Sequence, residues 1–128
     1  MISTEPIIAV KDVAASSKWY QTLLNCKNTH SSGGNIFDQL IDTDGTIILC
    51  LHYWGDHEHP SLMSPDQGKP GNGLLLFFRV DDINKAWERA QTLGTMLEEE
   101  PHFNPLAGHN EFTLRDIDGY YIAICSMR

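Results

Sequence analysis

Val10-Lys11-Asp12-Val13, followed by Gln21-Thr22-Leu23, returns later in the chain as Val80-Asp81-Asp82-Ile83, followed by Gln91-Thr92-Leu93. Every matched position is 70 residues from its partner, as Val10 is from Val80. A second match follows, Asp42-Thr43-Asp44-Gly45 against Asp116-Ile117-Asp118-Gly119, at an offset of 74. Self-similarity at a nearly fixed period, in the same order, marks a duplicated unit of about half the chain. The repeats run about 5–54 and 74–126, joined by the loop 55–73, within one domain spanning 1–128.

The residues around the matches set the elements of each unit. After Asp12, the positions Val13, Ser16, Ser17, Tyr20, Leu23 and Leu24 follow helical spacing on one face. After Asp82, the positions Ile83, Ala86, Trp87, Ala90, Leu93 and Gly94 do the same. Asp12 and Asp82 suit the N-cap, where a short carboxylate accepts from unpaired first-turn N–H groups. Asn25 and Gly94 suit left-handed C-terminal caps. Pro6 to Val10 and Leu74 to Val80 read as strands before the helices. Asp44-Gly45 and Asp118-Gly119 read as two-residue hairpin turns, joining Phe37–Ile41 to Thr46–Tyr53 and Glu111–Leu114 to Tyr120–Cys125. Each unit is thus a strand, a helix and a small antiparallel meander, an α+β arrangement. The linking loop, rich in Pro, Gly, Asp and His, is long for so small a domain and reads as a lid or linker.

With 128 residues the chain fits one domain. Hydrophobic residues make up 41% and charged ones 20%, a globular balance that excludes a disordered tail. The longest apolar run, Ile47 to Leu51, is too short for a bilayer, and Met1 leads into polar Ser3, Thr4 and Glu5 without a secretory core. Cys26, Cys50 and Cys125 are an odd count with no C-x-x-C pair, as in a reducing compartment, so a cytoplasmic protein is expected. The net charge of −8 disfavours nucleic acid and anionic membranes as partners and would attract a cationic small molecule, although an acidic surface also serves solubility.

Pro6-Ile-Ile-Ala-Val-Lys-Asp-Val13 with Trp19-Tyr20, Leu76-Phe-Phe-Arg-Val-Asp-Asp82, and Gly108-His-Asn-Glu-Phe-Thr-Leu-Arg-Asp-Ile-Asp-Gly119 together resemble the vicinal oxygen chelate superfamily over nearly the whole chain. That superfamily includes glyoxalase I, bleomycin resistance proteins, extradiol dioxygenases and fosfomycin resistance proteins. The last block is the most specific, with Ile117 where proline is usual. The resemblance implies two βαβββ repeats forming an open, incomplete mixed-sheet barrel with helices outside, and a ligand held in its concavity. Metal-dependent members carry His, Gln or Glu at four inward positions. Matched motif to motif, these fall on Glu5, Leu49, Leu75 and Ala123; a slip of one residue would replace Leu49 by Cys50. Leu and Ala offer no donor atom, so the family's metal is expected to be absent and no cofactor is assigned.

Strand alternation then fills the hollow: Phe77 and Arg79 with Leu75, Tyr121 and Cys125 with Ala123, Leu51 and Tyr53 with Leu49, and Trp54 and Phe103 at the rim. The candidate ligand residues are therefore Glu5, Tyr53, Trp54, Leu75, Phe77, Phe103 and Tyr121. Filling of a closed core weighs equally for Phe77 and Tyr121, and more heavily for Leu49 and Leu75. The expected function is metal-independent sequestration of a hydrophobic or cationic small molecule, as the resemblance to the metal-free, dimeric bleomycin resistance branch implies, with a homodimer as the assembly. The rival is a glyoxalase-like lyase, using a metal on His52, His57 and His59 or acid–base chemistry by Glu5, His109 or Glu111. A ligand-sensing regulatory module is a third reading. Glu98-Glu99-Glu100 reads as a solvated charge run, and His102 and His109 as handles of undecided role.

Overall fold

The computed structural model describes residues 1–29, 35–55 and 59–127. The chain divides into two compact units, Met1–Lys69 and Pro70–Arg128, and the division falls inside the loop expected between the repeats.

In the first unit, strand β1 (Ile7–Val10) leads into helix α1 (Val13–Leu24), followed by β2 (Lys27–Asn28), β3 (Phe37–Ile41) and β4 (Ile47–Tyr53). Asp12 starts the helix as expected, its carboxylate accepting from Ala15 N–H at 3.0 Å. Asn25 ends it in the left-handed conformation, φ +54°, donating to the Gln21 carbonyl. The expected helix face is buried except for Leu24, and Trp19 joins it, edge-on to Tyr20 with ring centroids 4.9 Å apart. The sheet runs β1-β4-β3-β2, with β1 parallel to β4 because a helical crossover separates them and the other pairs antiparallel.

The second unit repeats this plan: β5 (Leu76–Val80), α2 (Ile83–Thr92), β6 (Leu97–Asn104), β7 (His109–Arg115) and β8 (Tyr121–Ser126), in sheet order β5-β8-β7-β6. Asp82 caps α2 through Lys85 N–H, and Trp87 lies against Phe112 with centroids 5.1 Å apart. The fold is α+β, built of two βαβββ repeats. Among the described residues no helix is long and apolar enough to cross a membrane.

One local reading is corrected. Both hairpins close with three residues, not two: Gly45 N–H donates to Asp42 O and Asp42 N–H to Thr46 O, and Gly119, Asp116 and Tyr120 repeat both bonds. This is a β-turn followed by a left-handed glycine, a three-residue alternative to the paired-glycine turn. Gly94 is left-handed as expected, φ +70°, directly after the right-handed Leu93 that closes α2. The acidic run Glu98-Glu99-Glu100 is exposed, as expected of a solvated charge run, and lies on strand β6. Its side chains are almost all exposed, so it carries no hydrophobic alternation to read. Pro101 falls where the β6–β7 register shifts, a place that needs no ladder donor.

Glycine at Gly71 and Gly45 separates two costs. Both have positive φ, +79° and +87°, but a Cβ on Gly71 would stand 2.5 Å from the Tyr120 ring, whereas one on Gly45 meets nothing within 4 Å. We expect Gly45→Ala to lower unfolding free energy by about 1–2 kcal/mol from backbone strain alone. Gly71→Ala should lose about 1–3 kcal/mol more from overpacking. Equal losses in urea unfolding would contradict this account.

Candidate functional site

One helix covers one face of each sheet. In the second unit that face carries Leu76 on β5, Ile122 and Ile124 on β8, and Phe112 and Leu114 on β7, all buried. Alternation sends their neighbours to the opposite face, and the register aligns these in rows. Phe77 pairs with Ala123 and Ala123 with Thr113; Arg79 pairs with Cys125, Cys125 with Glu111 and Glu111 with His102; Tyr121 pairs with Arg115.

Side-chain bonds knit this helix-free face together. His109 Nε2 meets Glu111 Oε1 at 2.7 Å, and Asn104 Nδ2 donates to the same oxygen at 2.9 Å. Thr113 Oγ1 donates to Glu99 Oε1 at 3.2 Å. The His109 and Phe77 rings lie 5.6 Å apart, and the Arg79 guanidinium stands 5.1 Å over the Phe77 ring while donating to Ser126 O. Arg115 stacks over Tyr121 at 4.8 Å and donates to Glu98. The Asn104 amide is the main influence holding the Glu111 carboxyl below its ordinary range; hydrogen bonding and charge from His109 assist, and burial opposes. Burial pushes the Cys125 thiol up to about 11, with Glu111 adding to the rise and Arg79 working against it.

The sequence-predicted residues fall unevenly around this face. Phe77 is 44% exposed on it, Tyr121 is half-buried on it, and Leu75, 49% exposed, immediately precedes β5. Phe103 is 60% exposed but pairs with Asn110, a row that belongs to the opposite face. In the first unit, Glu5 is exposed before β1, Trp54 is half-buried in the turn after β4, and Tyr53 pairs with Val10 at the end of β4. His109, Glu111 and Glu99 form the most connected part of the face, yet none was among the candidate ligand residues. The signal was the His109-x-Glu111 spacing, which puts both on one face once β7 is known to be a strand.

The first unit also corrects the family alignment. Ile7 corresponds to Phe77 and pairs with Cys50, as Phe77 pairs with Ala123; the counterpart of Ala123 is therefore Cys50, not Leu49. The cause is a register shift between Leu40 and Ile41, where β4 holds one extra residue: Leu40 pairs with Leu49 but Ile41 with Ile47. Leu49 and Leu51 accordingly lie in the buried row with Ile8, Val10 and Leu40. Burial raises the pKa of the Cys50 thiol, Gln39 hydrogen bonding lowers it, and the Glu5 charge adds to the rise.

The four family positions are thus Glu5 and Cys50 in one unit and Leu75 and Ala123 in the other. A divalent ion held by three or four protein donors does not fit a set containing one carboxylate and one thiol. Of the alternative histidines, the His52 and His59 rings lie 6.3 Å apart, and His52 Nδ1 meets Tyr53 O at 2.8 Å. His57 lies outside the described residues.

Comparison with known proteins gives a consistent result. The sequence pattern of the Glyoxalase/Bleomycin resistance protein/Dioxygenase superfamily matches residues 4–124. A glyoxalase/bleomycin resistance protein/dioxygenase family enzyme from Burkholderia phytofirmans PsJN is similar in structure, with TM-score 0.75, 22% identity and 97% of each chain covered. TioX from Micromonospora sp. ML1 is similar at TM-score 0.74 and 16% identity, covering 98% of each chain. Hypothetical protein SA1046 from S. aureus has TM-score 0.75 and 18% identity, over 99% of this chain and 95% of that one. Identities this low carry the fold alone.

The Glu111 environment makes a signed prediction. A carboxyl held below its ordinary value of 4.5 adds stability that is fully present above that pH and is lost as pH falls through the folded-state value. Glu111→Gln should therefore destabilise the protein at neutral pH, and the difference from the unsubstituted protein should shrink as pH is taken below 4.5. A gap in chemical denaturation that stays constant with pH would contradict it.

Proposed function

Because the chain belongs to the Glyoxalase/Bleomycin resistance protein/Dioxygenase superfamily, we propose that it binds and sequesters a small aromatic molecule, cationic or hydrophobic, without a metal at the family positions. The observation that carries this reading is the composition of the helix-free face of the second sheet. Half-exposed Phe77, Tyr121 and neighbouring Leu75 form an apolar strip beside the carboxylates Glu99 and Glu111. The Phe77 and Tyr121 rings already carry the Arg79 and Arg115 guanidiniums, so a flat ligand stacks on their remaining surface, and the carboxylates favour one with a positive end. In the first unit, Glu5 adds an exposed negative charge beside Cys50. A cytoplasmic homodimer is the assembly proposed with this function.

A second reading, a glyoxalase-like lyase, is favoured by one observation. The 2.7 Å His109–Glu111 pair is mostly buried, and a carboxylate-oriented imidazole is suited to proton transfer.

Thermal-shift measurements with a panel of planar aromatic dyes, cationic and neutral, in the presence of a metal chelator test the binding reading. A dye at one hundred times its Kd should stabilise the fold by about 2.7 kcal/mol. The stabilisation should fall sharply in Phe77→Ala and Tyr121→Leu. No shift by any dye, or a shift equal in both variants, would overturn the proposal.

A further inference from the structure

Three different kinds of donor converge where β7 meets β8. His109 and Glu111 are two apart on β7 and share its helix-free face, and the register sets Cys125 directly opposite Glu111. One ring nitrogen of His109, one carboxylate oxygen of Glu111 and Cys125 Sγ all lie within 4.8 Å of one another. His109 is only 7% exposed and Cys125 is fully buried. Among the described residues, buried His109 Nδ1 has no hydrogen-bond partner, while Nε2 meets Glu111 Oε1. Buried polar atoms are seldom left so, and an imidazole with an unpartnered nitrogen in such a cluster calls for an explanation.

We propose that His109, Glu111 and Cys125 bind one divalent transition-metal ion of the zinc type, with its fourth position open. Imidazole, carboxylate and thiolate are a mixed nitrogen, oxygen and sulfur set, which suits zinc or cobalt and not magnesium or calcium. Around a tetrahedral zinc, donor atoms stand about 3.5 Å apart, so closing the triad asks for shifts of about an ångström. Asn104, donating to Glu111 Oε1, fixes the carboxylate from outside, the usual place of a supporting hydrogen bond around a metal. A second triad, Glu99, His102 and Glu111, shares the carboxylate, but Glu99 and His102 are exposed and it lacks the sulfur; it serves as a control.

The site is distinct from the family positions Glu5, Cys50, Leu75 and Ala123. It uses the residue two beyond Ala123 on β8 and two residues of the adjacent strand. An ion bound by Glu111 carboxylate and Cys125 thiolate would be electrically neutral with its ligands, so it would not repel a cationic molecule on the Phe77 strip. The inference does not rest on the binding function proposed above. That function is read with dyes under chelator, this one with metal and no dye, so either can fail alone.

The test is titration of the chelator-treated full chain with Co²⁺, followed by absorption, and with Zn²⁺ in competition with a chromophoric chelator. One ion per chain and a sulfur-to-cobalt charge-transfer band are expected. The band should vanish in Cys125→Ser, and Zn²⁺ affinity should fall at least as far in His109→Ala and Glu111→Gln as the about tenfold expected for Asn104→Ala. His102→Ala and His52→Ala should bind as the unsubstituted chain does. Circular dichroism checks each variant; if His109→Ala fails to fold, the isosteric Glu111→Gln and Cys125→Ser decide. Absence of saturable binding, a cobalt band unchanged in Cys125→Ser, or binding lost only in His52→Ala would overturn the proposal.

Discussion

A four-stranded sheet with a single helix to cover it buries one face under that helix, and both units are organised by this limit. In the first, Ile8, Val10, Leu40, Leu49 and Leu51 make the buried row; in the second, Leu76, Phe112, Leu114, Ile122 and Ile124 do. A polar group in such a row must bring its own partners. Asp38, in line with Leu40, does so by accepting from Asn28 Nδ2 and from the Gln39 backbone N–H. Most of the polar chemistry stands on the opposite faces, with Gln39 and His52 in one unit and Arg79, His109 and Glu111 in the other, and there the mostly buried His109 and Glu111 partner each other.

How much of this the sequence disclosed depended on whether the governing physics was local. Asp12, Asp82 and Asn25 were legible because capping involves one residue and the first or last turn beside it. The helix spacing was legible in both copies of the repeat. The extra residue in β4 was not legible: the offset of 74 holds from Ile41 and Arg115 back to the turn, and becomes 73 from Leu49 and Ile122 onward. A single insertion reverses the facing of every later residue in the strand. That is why Leu51 and Tyr53, read as neighbours of the hollow, belong to the alternation of the buried row. Strand β6 was missed for a different reason, since an exposed edge strand is held by backbone bonds and its side chains record nothing of the pairing.

The candidate face shows the same divide. Phe77 and Tyr121 were visible because the family resemblance set Leu75 and Ala123 inward and strand alternation carried that facing two residues along. His109, Glu111 and Cys125 were each noticed separately, but nothing local connects residue 125 with residue 111. Their convergence is a consequence of β7–β8 register, which the hairpin at Asp116–Tyr120 sets by closing on three residues. A two-residue turn would have changed the pairing and separated the carboxylate from the thiol.

The net charge of −8 is better understood from where the carboxylates stand than from their sum. Exposed charges farther apart than about 8–10 Å are largely screened at ordinary ionic strength. The field beside Phe77 is therefore governed by Arg79, 5.1 Å over the ring, and by the charges of β6 and β7, not by acidic residues elsewhere in the chain. Among these, Glu98 is matched by Arg115 at 3.0 Å, and that exposed pair adds little to stability but cancels its own charge locally. Glu99 and Glu111 are held by neutral donors, Thr113 and Asn104, and Glu111 also by His109. Hydrogen bonds from neutral groups orient a carboxylate without neutralising it. The helix-free face thus sets apolar Phe77, Ala123 and Tyr121 on β5 and β8, with Leu75 just before β5, beside oriented carboxylates on β6 and β7. The Arg79 and Arg115 guanidiniums lie over the Phe77 and Tyr121 rings. It is this local arrangement, more than the overall acidity, that would favour a ligand with a flat apolar body and a positive end.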